Sequence, residues 1–412
     1  MWNNPQLPKF GPLSGVKVVH ATLAQSGPIA AQMMADYGAD VLWVENALAP
    51  DISRFAKSWA LDNDRKNQRN LSLNIPTPEG KKVLLKLLEE ADIFIENSKG
   101  GQYEKWGLTD EVLWEANPKL VIAHISGFGL TGLPEYVSRA ALDSVAQAYS
   151  GYTFSNANPM TPPYGAPYAA DFFTAIFTAM TALAALTKAR ETGVGESIDL
   201  AQFEIMMKVT QYLSDWLTDH KVEEQAGYPS RYAGAGVFPC KDGEFLQTYF
   251  IGAGILKKVI PLVGLEYGTE EYPKGVSMIL NTSPEGKKFT EAVKNYLLTM
   301  TAKEAEKKLL AESLPVSKIN TYKDVEEDPH VQARDMISEW TTFKGAKVRA
   351  ASIVPKFKKH PTQIWRSAPY QGMDNEEILQ QIGYSSEEIK ALYDNQILTK
   401  DEEMKFCMPF SK

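Results

Sequence analysis

Between Val16 and Gly127 the chain repeats one pattern three times: a short run of β-branched and aliphatic residues, a turn, a helical stretch and another such run. V-K-V-V-H after Gly15 reads as a strand. L-A-Q-S-G-P-I-A-A-Q-M-M-A-D-Y-G-A-D then runs into a helix ending at Gly38, and V-L-W-V-E-N is the next strand. Residues 71–98 repeat the alternation through L-S-L-N-I, a helix opened by T-P-E-G-K-K and carried to Glu90, and D-I-F-I-E-N-S-K-G. A third passage runs through L-T-D-E-V-L-W-E-A-N-P-K, whose Thr109 and Glu111 suit a helix start, into L-V-I-A-H-I-S-G-F-G. Strand–helix–strand crossovers are right-handed and lay their strands parallel, so an α/β fold on a parallel sheet is expected. Such sheets bind ligands beyond the carboxyl ends of their strands, which singles out the loops Ala24–Pro28, Asn97–Gly101 and Ser126–Gly132. The first turn has no G-x-G-x-x-G, so a nicotinamide or flavin cofactor is disfavoured.

The second constraint is the stretch Tyr164–Lys188, whose one acid, Asp171, stands in an otherwise uncharged run that ends only at Lys188. Pro167 keeps the preceding residue out of helix, and from Ala170 onward Phe172, Ile176, Ala179, Leu183 and Leu186 recur at helical spacing. Asp171 is therefore expected in a first helical turn, where unpaired N–H groups and the helix dipole favour a carboxylate that is partly desolvated and nucleophilic. An acid in that place also serves simply as a helix cap, and the residues alone leave both roles open.

After this helix, E-T-G-V-G-E is a glycine turn, E-S-I-D-L a short strand, and A-Q-F-E-I-M-M-K-V-T-Q-Y-L-S-D-W-L a second long helix with Met206 and Met207 in its core or an interface. Composition shifts near Gly227. Residues 228–330 read as a smaller α/β region with a β-hairpin turning at Lys241–Gly243 and two helices rich in lysine and glutamate. The tail from 331 carries polar helices around D-N-E-E-I-L-Q-Q-I and S-S-E-E-I-K-A-L-Y-D. With 412 residues two domains are expected, and a net charge of -8 leaves no basic stripe for a nucleic-acid backbone. Cys240 and Cys407 stand far apart without metal-ligand spacing, which predicts a reducing compartment and no zinc site. The first residues carry no leader pattern, and Asp171 and several threonines interrupt the apolar run 170–187, so a cytoplasmic protein that does not span a membrane is expected.

Several of these stretches, in this order, resemble the class III CoA-transferases over essentially the whole chain. They are G-P-L-S-G-V-K-V-V with A-Q-S-G-P-I-A-A-Q-M-M-A-D-Y-G-A-D-V, L-S-L-N-I with T-P-E-G, D-I-F-I-E-N-S-K-G, L-V-I-A-H-I-S-G-F-G, Y-A-A-D-F-F with R-E-T-G-V-G-E-S-I-D-L-A, and A-P-Y-Q-G-M-D-N-E-E-I-L-Q-Q-I-G-Y. P-K-F-G-P-L, S-K-G-G-Q-Y, L-T-D-E-V-L-W and P-K-F-K-K-H-P-T-Q-I-W-R are similar to the branches of that family acting on carnitine and on bile acids. The resemblance implies a large doubly wound, Rossmann-like domain built from both chain ends (1–226 and 331–412), a small α/β domain (227–330), and two ring-shaped subunits interlocked as a homodimer. It implies Asp171 as nucleophile and a CoA site at the positions of Gln25, Arg54, Leu73, Asn97 and Lys99, with Arg139 as a further candidate CoA-binding residue. Where the family commonly has an arginine this chain has Trp106, and the neighbouring Lys105 is expected to take the nucleotide phosphate instead. The long glycine-rich loop of formyl-CoA transferases is absent, its nearest counterpart being G-A-G at 234–236.

The same resemblance implies an enzyme without metal or tightly bound cofactor, taking an acyl-CoA and a small carboxylic acid as substrates. Gln25 and the N–H groups near Gly27 are the candidate oxyanion donors. Tyr149, Tyr152, Tyr164, Tyr168 and Trp216 could cage a trimethylammonium acid such as carnitine, or form apolar walls for a bile acid or a 2-hydroxy acid. An acyl-CoA racemase on the same scaffold needs a proton-transfer histidine before the helix R-A-A-L-D-S-V-A-Q, where Arg139, Ala140 and Ala141 supply none. A CoA-binding protein without catalysis is the other rival, against which the matched setting of Asp171 counts.

Overall fold

A computed structural model describes residues 3–56, 58–156, 165–210, 213–220 and 231–403. Six parallel strands, β1 (Lys17–Ala21), β2 (Asp40–Asn46), β3 (Gln68–Leu73), β4 (Ile93–Glu96), β5 (Val121–Ser126) and β6 (Glu196–Ala201), form one sheet in the order β3-β2-β1-β4-β5-β6. The order reverses between β1 and β4, and the crevice beyond their carboxyl ends is where a doubly wound sheet takes its ligand.

Consecutive residues serve opposite faces, as the two-residue period demands. Val19, Leu42, Phe94 and Ile122 join one buried cluster with the helix Pro78–Leu88, while Val18, Val41, Ile93 and Val121 join the other. Thr77 caps that helix by accepting from Gly80 N at 3.0 Å, with Pro78 at its first position.

On the second face, helix α1 (Ser26–Asp36) packs against α2 (Ala169–Thr192). The packing reverses part of the sequence expectation. Ala170, Thr174, Ala175, Thr178 and Ala182 are buried, whereas Phe172, Ile176 and Met180 are 47%, 48% and 56% exposed. Small residues let two helices approach closely, so the alanine and threonine stripe faces inward and the large residues one turn apart are left outside. By length and composition α2 is also long and apolar enough to cross a membrane, against the expectation that Asp171 and the threonines disqualify it. Core helices meet the same criterion, and this one packs against α1, β5 and β6.

The predicted second long helix is two pieces, Gln202–Val209 and Leu213–Asp219. Contacts divide the chain into one unit of Met1–Ser150, Ala166–Val209 and Ala333–Lys412 and another of Gly151–Gly165 and Thr210–Gln332. The smaller unit thus begins earlier than the composition shift near Gly227, because the second helical piece groups with it. Its hairpin, Ala235–Pro239 with Phe245–Tyr249, turns through Gly243 at φ 82° and is joined by Val316–Lys318. Phe238, Leu246, Val259, Phe289 and Val293 fill its core. Cys240 is a buried free thiol there, while Cys407 and Tyr164 lie outside the described residues.

The tail returns to the larger unit and seals the edge strand β3. Asn70 N donates to Asp374 Oδ2 at 2.8 Å, Ser72 N to Asn375 Oδ1 at 2.9 Å, and Asn74 N to the Ile397 carbonyl at 2.8 Å. The alternate amides from Asn70 to Asn74 are thereby paired, and that part of an edge that could recruit another strand is closed.

Candidate active site

Three mutually packed helices begin at one place: α2, the helix Asp143–Tyr149 and the helix Gln202–Val209. Asp171 lies in the first turn of α2, Asp143 opens the second helix and Gln202 the third. The sequence reading gives the N-terminal amides of α2 to Asp171 itself. In the structure Asp171 N instead donates to Asp143 Oδ1 at 3.2 Å, so a carboxylate from another helix caps α2, whose own N-cap residue Tyr168 (φ 58°) makes no side-chain cap. The Asp171 carboxylate is left with Gln202, whose Nε2 donates to Oδ1 at 2.9 Å. Gln147 fixes Asp143, donating to its Oδ2 at 2.6 Å and to the Ala166 carbonyl at 2.7 Å.

This arrangement raises the Asp171 carboxyl from its ordinary 3.8 to about 6. Burial is the main cause and the Asp143 charge the second, while the Gln202 hydrogen bond opposes both. Three helix N-termini beside the pair, each worth about 0.3–1 kcal/mol, offset part of the repulsion between the two acids. At neutral pH such a carboxylate is ionised, more basic than a solvated one and held, among the described residues, by a single donor, which suits covalent attack on a carbonyl. Sequence reasoning missed Asp143, Gln147 and Gln202. The four-residue spacing of Asp143 and Gln147 on one helical face was the available signal.

At the switch point the loops after β1 and β4 are tied together. Leu23 N donates to Asn97 Oδ1 at 2.9 Å and Asn97 Nδ2 to the Leu23 carbonyl at 2.8 Å, so the amide assigned to CoA is engaged within the protein. Gln25 stands at the N-cap of α1, partly buried, and its side chain has no hydrogen bond among the described residues. Below Asn97, Glu96 Oε2 accepts from Ser98 N at 2.6 Å and Oε1 meets His124 Nδ1 at 2.8 Å, while His124 Nε2 meets Asp110 Oδ1 at 2.9 Å. Burial opposes a charge on His124, but the two acids outweigh it and push the ring up to about 10.

The remaining predicted CoA residues divide sharply. Arg54 is 2% exposed and forms a bidentate pair with Glu45, Nε to Oε1 at 2.7 Å and a terminal nitrogen to Oε2 at 2.8 Å, over the Trp43 ring. Its guanidinium is committed inside the fold, and Leu73 is a buried residue of the same region. Lys99 and Lys105 are exposed on either side of the turn at Gly100–Gly101. Trp106 packs onto Tyr103 and the sheet core, so Lys105 is the cation left outside there. Arg139 is exposed and lies over Phe128 at 4.9 Å, Tyr136 at 5.8 Å and Tyr149 at 5.9 Å. Of the suggested cage, Tyr149 joins that cluster, Tyr168 is exposed, and Tyr152 and Trp216 belong to the smaller unit. Among the described residues no group of histidine, cysteine and acidic side chains could hold a metal ion.

Comparisons with known proteins bear on the fold and the family. Residues 13–375 match CoA-transferase family III. An L-carnitine CoA-transferase of Proteus mirabilis (strain HI4320) is 40% identical over 394 residues, covering 94% of this chain and 97% of the relative, as is an L-carnitine CoA-transferase of Proteus sp. (strain LE138). Among solved structures, a CAIB/BAIF family protein from Brucella suis superposes with TM-score 0.76 at 25% identity, covering 91% of this chain and all (100%) of the other. Rv3272 from Mycobacterium tuberculosis shares the fold at TM-score 0.76 and 22% identity, covering 89% of this chain and 99% of that one. The chain belongs to CoA-transferase family III, and it is a transferase.

Proposed function

We propose that the protein moves CoA from an acyl-CoA thioester to a free carboxylic acid with Asp171 as covalent carrier. The Asp171 carboxylate attacks the thioester carbonyl, the C–S bond breaks, and a mixed anhydride and CoA thiolate result. The thiolate attacks the aspartyl carbonyl, releasing the donor acid and leaving an aspartyl-CoA thioester. An acceptor carboxylate attacks that thioester, forming a second anhydride and expelling the thiolate, which finally attacks the acceptor's acyl carbonyl and regenerates Asp171. Each step exchanges one activated acyl bond for another, so the protein has to exclude water and stabilise oxyanions. Gln25, whose side-chain amide beside the switch point has no hydrogen-bond partner among the described residues, fits that second task.

The observation that carries this reading is an acid raised to about 6 with one donor among the described residues, Gln202, where three helices begin. The relatives' names favour carnitine and similar short betaine acids as substrates, and the exposed cations Lys99, Lys105 and Arg139 are candidates for the CoA phosphates. An interlocked homodimer and a cytoplasmic location belong to the same reading. The exposed Phe172, Ile176 and Met180 supply apolar surface for a second copy to cover.

The test is Asp171→Ala with mass spectrometry after incubation with acyl-CoA and hydroxylamine. Turnover is expected to fall by about 10³-fold or more, and the native protein is expected to carry the hydroxamate on Asp171. Turnover near the native rate in the variant ends the covalent proposal. If carnitine and its dehydrated and deoxy relatives are inert in a panel of acceptor acids while bile acids or 2-hydroxy acids react, the substrate assignment moves to those.

A further inference from the structure

Ala24, the residue before Gln25, sits at φ 62° although it is not glycine. In that left-handed region a Cβ crowds the following carbonyl, so something must hold the residue there. Asp51 and Arg65 do so from both sides. Ala24 N donates to Asp51 Oδ1 at 3.3 Å and Oδ2 at 3.2 Å, a terminal nitrogen of Arg65 donates to the Ala24 carbonyl at 2.8 Å, and the same nitrogen meets Asp51 Oδ2 at 3.0 Å. Both side chains are 1% exposed. Each is itself held: Ser53 N and Oγ donate to Asp51 Oδ1 at 2.8 and 2.7 Å, and Arg65 lies 5.0 Å over the Trp43 ring. Trp43 Nε1 in turn donates to the Thr22 carbonyl at 3.2 Å. The loop Thr22–Ala24 is thus gripped at each residue, with Asn97 on Leu23, while the side chain of the next residue, Gln25, is left without a partner among the described residues.

We propose that Asp51, fixed by Arg65, is a positioning residue for the transfer reaction: it locks Ala24 in the left-handed conformation that aims Gln25 at the reacting acyl group. A buried ion pair could serve the fold alone, but this one closes on the main chain of a single strained residue, and the residue following it carries the amide that has no partner among the described residues. The inference rests on the reaction proposed above and acts through Gln25, not by contact with substrate.

The experiment compares kcat, KM for acyl-CoA and thermal unfolding across Asp51→Asn, Ala24→Gly, Gln25→Ala and their combinations in the full chain. Asp51→Asn is expected to lower kcat about 10- to 100-fold, the cost of a reacting group displaced by about an ångström, with KM little changed. Adding Ala24→Gly should recover most of that loss, because glycine takes positive φ without the Cβ clash. In a Gln25→Ala background Asp51→Asn should cost little more, since the two changes remove one effect. Native kcat in Asp51→Asn, or full additivity with Gln25→Ala, overturns the proposal. Should Asp51→Asn fail to fold, Ala24→Val opposes the same backbone conformation with the ion pair intact. A native kcat there likewise overturns it. Asp171→Ala keeps the outcomes apart: if it is inactive while the Asp51 and Ala24 variants are native-like, this inference falls and the covalent mechanism stands.

Discussion

Two regions of the larger unit bury acids in opposite ways. Around β1, β2 and β4 the buried acids Glu45, Asp51, Asp40 and Glu96 each have a cation or imidazolium against them: Arg54, Arg65, Arg69 and His124 in turn. Where α2 begins, Asp171 has an uncharged amide on one side and a second acid, Asp143, on the other. A fully paired charge is fixed in place and chemically quiet, whereas an under-paired one keeps its reactivity at some expense in stability. At these positions the contrast sets the paired scaffold apart from the candidate site, although burial also raises Asp62, with only the Arg54 charge opposing it, to about 6.

The largest expected break comes on the paired side. Glu45→Gln leaves the Arg54 guanidinium buried at 2% exposure without its carboxylate, and also weakens what Asn70 Nδ2 and Asp51 N donate to. The expected loss is about 3–5 kcal/mol in denaturant unfolding. A loss below about 1 kcal/mol, the range of an exposed pair, would mean that Arg54 is free to leave Glu45 and available to a CoA phosphate.

That same pair marks where sequence reading stopped. The parallel sheet was legible because strands buried on both faces need continuous apolar runs, and V-K-V-V-H, D-I-F-I-E and L-V-I-A-H-I carry them. Asp171 at a helix start was legible from Pro167 and the apolar periodicity. The partners were not: Glu45 and Arg54 are nine residues apart and Glu96 and His124 twenty-eight, and nothing local says which acid a given arginine or histidine will meet. Two histidines show the limit. His20 and His124 both lie near the ends of strands of the sheet, yet burial lowers the first to about 3 while two acids raise the second to about 10. The inward turn of the alanine stripe of α2 was hidden for another reason, since periodicity marks a face but not which of two apolar faces the neighbouring helix prefers.

A smaller effect is expected on the under-paired side, with the opposite sign. The folded protein holds the Asp171 proton up to about pH 6, while an unfolded chain releases it near the ordinary 3.8. The contribution of this group to stability is therefore complete below about pH 4 and is lost as pH rises through about 6. Asp171→Asn, which cannot ionise, should unfold later than the native protein at about pH 8, by about 1–2 kcal/mol once partial exposure is allowed for. The gain should vanish at about pH 4. A variant no more stable than the native chain at the higher pH would put Asp171 among the satisfied acids and erase the contrast.

The finest division is between the two neighbours of Asp171, which act on it in opposite directions. Asp143 raises its carboxyl by repulsion and Gln202 lowers it by donating a hydrogen bond. Single-turnover acylation of Asp171 requires the carboxylate, so its rate should rise with pH around a midpoint of about 6 rather than near 3.8. Asp143→Asn keeps an oxygen to accept from Asp171 N but deletes the charge, and the midpoint should move down. Gln202→Leu removes the Gln202 donor, and the midpoint should move up. Opposite displacements identify the corner as an electrostatic device tuned by an acid and an amide from two other helices. Displacement in the same direction, or none, would leave burial as the sole cause, and Asp143 would then be no more than the cap of α2.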